Sequence, residues 1–107
     1  MAVNKVTDET YEELIQNESA VVLLDLWKDG CGPCQALAPE VEKVSEEHPE
    51  IKAFSANIAD VPGLVEKFRV MAAPTLLVIK DGAVKKKSIG FKSAEHIVEM
   101  LDAATKQ

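Results

Sequence analysis

The run Ala20-Val21-Val22-Leu23-Leu24-Asp25-Leu26-Trp27 narrows the possible folds more than any other feature of this chain. It is almost continuously apolar, rich in branched side chains, and far shorter than the ~20 residues of a membrane helix. A segment of this kind reads as a strand buried on both faces, so other elements must cover it from two sides.

The flanking sequence supplies that cover as helices. Tyr11, Leu14 and Ile15 recur at i, i+3 and i+4 behind the acidic pair Asp8-Glu9, which suits a helix amino terminus. After the buried run, Cys34, Leu37, Ala38, Val41, Val44 and Ser45 form one stripe flanked by His48. Gln35, Glu42, Lys43, Glu46 and Glu47 fall on the opposite side. Pro39 should kink this helix, and Pro49 marks its stop. A short helix is expected after Asp60 as its cap, with Pro62 in its first turn and Leu64, Val65 and Phe68 inward. Ser93 is expected to cap a last helix that turns Ile97, Leu101 and Ala104 to the core.

Four further segments read as strands: a short edge strand at Lys5-Val6-Thr7, Ile51–Ile58 with polar residues at its far end, Thr75–Lys80, and Ala83–Ile89. The last two are joined by Asp81-Gly82, a strong hairpin signal, and should pair antiparallel. Lys85-Lys86-Lys87 reads as the solvated part of that edge strand. The resulting order, β-α-β-α-β-α-β-β-α, predicts an α/β protein. Its central sheet is expected to be largely parallel, with helices on both faces and an antiparallel hairpin at one edge. A chain of 107 residues has room for one core, so a single domain over 1–107 is expected.

The net charge of −6 opposes the basic footprint that nucleic-acid binding needs. The segment from Met1 to Glu9 lacks a basic region followed by an apolar one, so no secretory signal is visible. A cytoplasmic monomer with no membrane partner is expected.

The chemistry concentrates at Cys31-Gly32-Pro33-Cys34, where the buried strand hands over to a helix. Thiol–disulfide exchange needs one accessible thiolate and a second thiol within bonding reach. Cys34 belongs to the inward stripe, whereas Cys31 lies at the helix tip. Unpaired backbone N–H groups there favour an anion, so Cys31 should have a lowered thiol pKa and attack, with Cys34 resolving. The competing reading is a zinc half-site. It needs two further ligands, and His48 and His96 sit far apart on separate helices, so no metal is expected. Asp25 interrupts the apolar strand. An unpaired carboxyl there would hold its proton, whereas one hydrogen-bonded to nearby backbone would be merely structural.

Over Val21–Leu101 the chain resembles the thioredoxin family. The matching features are Asp25 and Trp27, Cys31-Gly32-Pro33-Cys34, Pro39, Ala73-Pro74-Thr75, Lys80-Asp81-Gly82 and Gly90. The resemblance implies a thioredoxin fold, a mixed five-stranded sheet flanked by four helices. It implies an activity too: a protein-disulfide reductase cycling between the Cys31/Cys34 dithiol and disulfide. In the family, the aspartate matching Asp25 lies beneath the buried cysteine and helps deprotonate it. Pro74 matches a cis-proline facing the cysteines. Trp27, Gly30, Gly32, Pro33, Ala73, Pro74, Gly90 and Phe91 are thereby placed around the groove that holds substrate, although Trp27 also reads as an ordinary core tryptophan. The implied partners are disulfide-containing proteins and a separate thioredoxin reductase. No cofactor is expected, since no G-x-G-x-x-G run or other nucleotide site is present.

Three positions depart from the family pattern. Gly30 stands where a tryptophan normally precedes the first cysteine, in the segment Lys28-Asp29-Gly30. Ser55 stands where a lysine usually accompanies the buried aspartate, which should raise the proton affinity of Asp25. Phe91 follows Gly90 where a small residue is usual. These changes are expected to tune partner choice rather than abolish the chemistry. Two other functions remain open: a redox-inert binding module using the groove at Pro74 and Phe91, and an oxidase or isomerase, since spacing does not fix redox poise.

Overall fold

The computed structural model describes residues 3–106; Met1, Ala2 and Gln107 lie outside the described residues. The strands are β1 (Val3–Lys5), β2 (Val22–Trp27), β3 (Lys52–Asn57), β4 (Thr75–Lys80) and β5 (Ala83–Ile89). The α-helices are α1 (Gly32–Glu47), α2 (Pro62–Lys67) and α3 (Ala94–Thr105). A fourth, π-type helix covers Glu12–Gln16, and a 3₁₀ turn covers Ile58–Asp60. The strands form one five-stranded mixed sheet in the order β1-β3-β2-β4-β5.

β2 is central, and its residues from Val22 to Leu26 are all buried. Strand side chains alternate between faces. Val22, Leu24 and Leu26 therefore enter one core layer, with Ile15, Phe54 and Leu64. Leu23 enters the other, with Leu37, Val41 and Val44 of α1 and Ile97 and Leu101 of α3. Burying one such leucine is worth roughly 1.5–3 kcal/mol, and these two layers hold the sheet between its helices. The same alternation puts Asp25 on the Leu23 face, beneath α1.

Several expectations need correction. The first strand lies at Val3–Lys5 rather than at Lys5–Thr7, pairing parallel with Ala53–Ser55 of β3. The sheet is less parallel than expected. β2 and β1 pair parallel with β3, but β4 already runs antiparallel to β2. The segment from α2 to Pro74 returns the chain to the far side of β2 in the opposite direction. The antiparallel part thus starts one strand before the β4–β5 hairpin. The turn itself is as expected, with Asp81 and Gly82 at φ +53° and +77°, the left-handed pair a tight hairpin requires.

Asp60 does not cap α2; it belongs to the 3₁₀ turn, and the cap position is taken by Val61. The capping carboxylate comes from Asp8, which accepts the N–H groups of Gly63 and Leu64 at 2.9 Å each. At the other end of α2 the Lys87 ammonium donates to the carbonyls of Phe68 and Arg69 at 3.0 and 3.1 Å. Lys87 is therefore a helix-terminal partner rather than a purely solvated edge residue. Ser93 caps α3 as expected, accepting the N–H of His96, and Glu40 adds a second cap by accepting the N–H of Ala94 at 2.9 Å.

Candidate active site

Cys31 is the N-cap of α1. Its backbone is extended, and Gly32 and Pro33 open the helix after it. Proline is tolerated in a first turn, where its missing N–H has no intrahelical partner to lose. This arrangement sets Cys31 and Cys34 with Cα atoms 5.2 Å apart, and they are joined as a disulfide. The Cys31 Sγ accepts the N–H of Cys34 at 3.2 Å.

The structure corrects the expectation that Cys31 is exposed. Cys31 is 6% and Cys34 4% accessible, so exposure does not separate them. The segment before β4 provides the cover: the Ala73 carbonyl oxygen lies 3.8 Å from the Cys31 Sγ. What separates the two sulfurs is their surroundings. Cys31 faces the Ala73–Pro74 segment, whereas Cys34 lines a cavity of about 370 Å³ together with Asp25, Trp27, Gly30 and Ser55.

Asp25 is 3% accessible, and its Oδ1 has no hydrogen-bond partner among the described residues. Burial alone pushes its carboxyl up to about 6, since desolvation penalises the charged form. Ser55 of β3 is its ladder partner and brings a hydroxyl, not a cation, to the cavity. Trp27, half-buried at the end of β2, forms part of the cavity wall.

On the other side of the disulfide, the Ala73–Pro74 peptide bond is cis and Pro74 is buried. Thr75 holds this turn by donating its hydroxyl to the Ala72 carbonyl at 2.7 Å, and Gly90 donates its N–H to the Pro74 carbonyl at 2.9 Å. Cys31, Ala73, Pro74 and Gly90 are thus linked by successive contacts. Gly32 and Pro33 are exposed beside them. Phe91 follows Gly90 and is 53% exposed.

Sequence reasoning missed three features. Met71, three residues before Pro74, is 90% exposed, an apolar side chain with nothing in its pattern to mark it. The bond from the Thr75 hydroxyl to the Ala72 carbonyl is not visible in its place as a strand start or in the matched Ala73-Pro74-Thr75 segment. Asn57 donates to the carboxylate of Asp29 at 3.1 Å, tying the end of β3 to the loop before Cys31; the polar residues at the end of that strand were the available signal. The two histidines stay apart: His48 ends α1 and contacts Glu50 at 3.1 Å, while His96 lies exposed in α3. Among the described residues no group of three or more His, Cys, Asp or Glu is placed to hold a metal ion.

The arrangement is that of a two-sulfur redox site at a strand–helix junction. A thioredoxin family model matches residues 2–103. The chain belongs to the thioredoxin family. It is 39% identical over 103 residues to a thioredoxin of Staphylococcus haemolyticus, covering 95% of this chain and 97% of the relative. It is 38% identical over 104 residues to a thioredoxin of Staphylococcus aureus, with the same coverage. With the Cys31–Cys34 pair in place, this family member is a thiol–disulfide oxidoreductase, a protein-disulfide reductase of the thioredoxin type. Among the described residues no helix is long and apolar enough to cross a membrane.

Proposed function

We propose that Cys31 is the attacking thiolate, Cys34 the resolving thiol and Asp25 the group that accepts the Cys34 proton. The reading is supported above all by the Cys34 N–H directed at the Cys31 Sγ, which in the dithiol form stabilises negative charge on that sulfur. The Cys31 thiolate attacks one sulfur of a substrate disulfide. A Cys31–substrate disulfide forms, and the other substrate sulfur leaves as a thiolate. Asp25 takes the proton from Cys34, and the Cys34 thiolate attacks the Cys31 Sγ. The second substrate sulfur is released, two electrons have passed to the substrate, and the Cys31–Cys34 disulfide remains.

Substrate backbone lies in the groove framed by Trp27, Gly30, Gly32, Pro33, Ala73, Pro74, Gly90 and Phe91. A separate thioredoxin-reductase-type enzyme returns the two electrons. The compartment is the cytoplasm, where thiols are kept reduced. The protein works as a monomer. Large apolar side chains exposed among the described residues are Met71, Val84, Ile89 and Phe91, less than an obligate dimer interface requires.

Trapping tests the division of labour. Cys34→Ser should accumulate partner proteins disulfide-bonded to Cys31, and Cys31→Ser should accumulate none. Equal trapping by the two variants refutes the assignment.

A further inference from the structure

The loop that leads from β2 to Cys31 has little to hold it. Gly30 brings no side chain, sits at φ +66°, and a Cβ placed there would meet nothing within 4 Å. Among the described residues, the segment Lys28–Gly30 makes one side-chain bond to the rest of the protein. Asn57 donates its Nδ2 to the Asp29 Oδ2 at 3.1 Å. The other end of the same amide is also engaged, with Oδ1 accepting the N–H of Ala59 at 3.0 Å, which fixes its orientation. Asn57 is the last residue of β3 and the ladder partner of Trp27. Its side chain therefore extends the β2–β3 pairing two residues beyond the sheet.

Through Asp29, that extension reaches the wall of the cavity next to the redox pair. Lys28, Asp29 and Gly30 form the exposed rim of the cavity, and Asp25, Cys34 and Ser55 lie further in. The charged groups lining it around Asp25 are Lys28 and Asp29 from the loop and Glu42 from α1. β1 and β3 contribute the uncharged Val3 and Ser55, and the ladder partner of Asp25 on β4 is Leu76.

We propose that Asn57 is a positioning residue: by holding Asp29 it keeps the Lys28–Gly30 segment over the cavity and limits the access of water to Asp25 and Cys34. The proposal deepens the function proposed above, in which Asp25 serves Cys34. With the latch made, the carboxyl stays in the buried setting that lifts it to about 6. With the latch broken, the loop moves on Gly30, water enters, and Asp25 returns toward the ordinary carboxylate range.

The test is a carbon-detected NMR titration of the Asp25 carboxyl in the full-length oxidised protein. Asn57→Ala should lower its midpoint by about one pH unit. In an Asp29→Ala background there is no latch to lose, and Asn57→Ala should leave the midpoint where that background puts it. A merely structural role of Asn57, through its bond to Ala59, would shift the midpoint equally in both backgrounds. An equal shift, or no shift in the parent background, overturns the proposal. Should Asn57→Ala not fold, Asn57→Ser carries the same expectation, because serine is too short to reach Asp29. The titration is indifferent to whether Asp25 serves Cys34. That is read separately, from disulfide-reduction rates of Asp25→Asn.

Discussion

Asp25 and Ser55 are direct ladder partners across β2 and β3, and both line the cavity beside Cys34. The buried carboxyl therefore has a hydroxyl, not an ammonium, as its ladder neighbour, and burial raises its proton affinity. Ser55→Lys should place an ammonium in the cavity and lower the Asp25 midpoint from about 6 by roughly one to two units. Ser55→Met, similar in length but uncharged, should not lower it. An NMR titration of Asp25 in the two variants checks this, and identical midpoints would show that charge at position 55 does not reach the carboxyl.

The raised carboxyl also sets how stability depends on pH. Asp25 titrates near 3.8 in the unfolded chain and near 6 in the fold. Between those values the folded state binds more protons, so stability falls as pH rises through the window. The difference corresponds to a contribution of about 3 kcal/mol, present below the lower value and lost above the higher one. Asp25→Asn removes the charge that must be buried above pH 6. It should be more stable than the parent by a few kcal/mol at pH 8, with the gain shrinking toward pH 4. Urea unfolding at both pH values measures it; a gain independent of pH would assign the effect to packing.

Asp8 holds α2 from 55 residues away in sequence, through the N–H of Gly63. Loss of a capping carboxylate costs roughly 0.5–2 kcal/mol, typically near 1. Asp8→Ala should therefore lower stability by that amount. Asp60→Ala should change it by less than about 0.5 kcal/mol, as for surface positions away from such features. Thermal unfolding of the two variants decides between them, and comparable losses would return the capping role to Asp60.

That contrast shows where local pattern stops being informative. β2 and α1 were legible because burial on two faces and a helical stripe are properties of consecutive residues. The redox pair was legible because its strand-to-helix setting is also local. Asp60 looked like a cap because it stands just ahead of Pro62, yet the carboxylate that reaches those N–H groups comes from Asp8. The burial of Cys31 has no local signal for the same reason: Ala73, whose carbonyl lies against its sulfur, is 42 residues further along the chain. The direction of β4 depended on how the segment after α2 crosses the sheet, which no periodicity encodes. The Asn57–Asp29 bond joins residues 28 apart, and only the polar end of β3 hinted at it.

Gly30 and Gly32 flank Cys31, and they should respond oppositely to the same substitution. Gly30 lies at φ +66° in open space, whereas Gly32 is in open space without a left-handed φ and begins α1. An L-residue in the left-handed region costs about 1–2 kcal/mol, so Gly30→Ala should destabilise by about that much. Gly32→Ala restricts the unfolded chain without strain and should stabilise by up to about 1 kcal/mol. The same strain accompanies Gly30→Trp, which restores the family's usual residue. Gly30→Ala is therefore the proper reference for it, since the pair differ in the indole and share the backbone cost. Relative to Gly30→Ala, Gly30→Trp should change turnover with a protein reductase more than turnover with a small dithiol, because only the protein partner presents a surface for the indole to contact. A change of equal size with both reductants would place the effect of position 30 in the backbone around Cys31 and not in partner recognition.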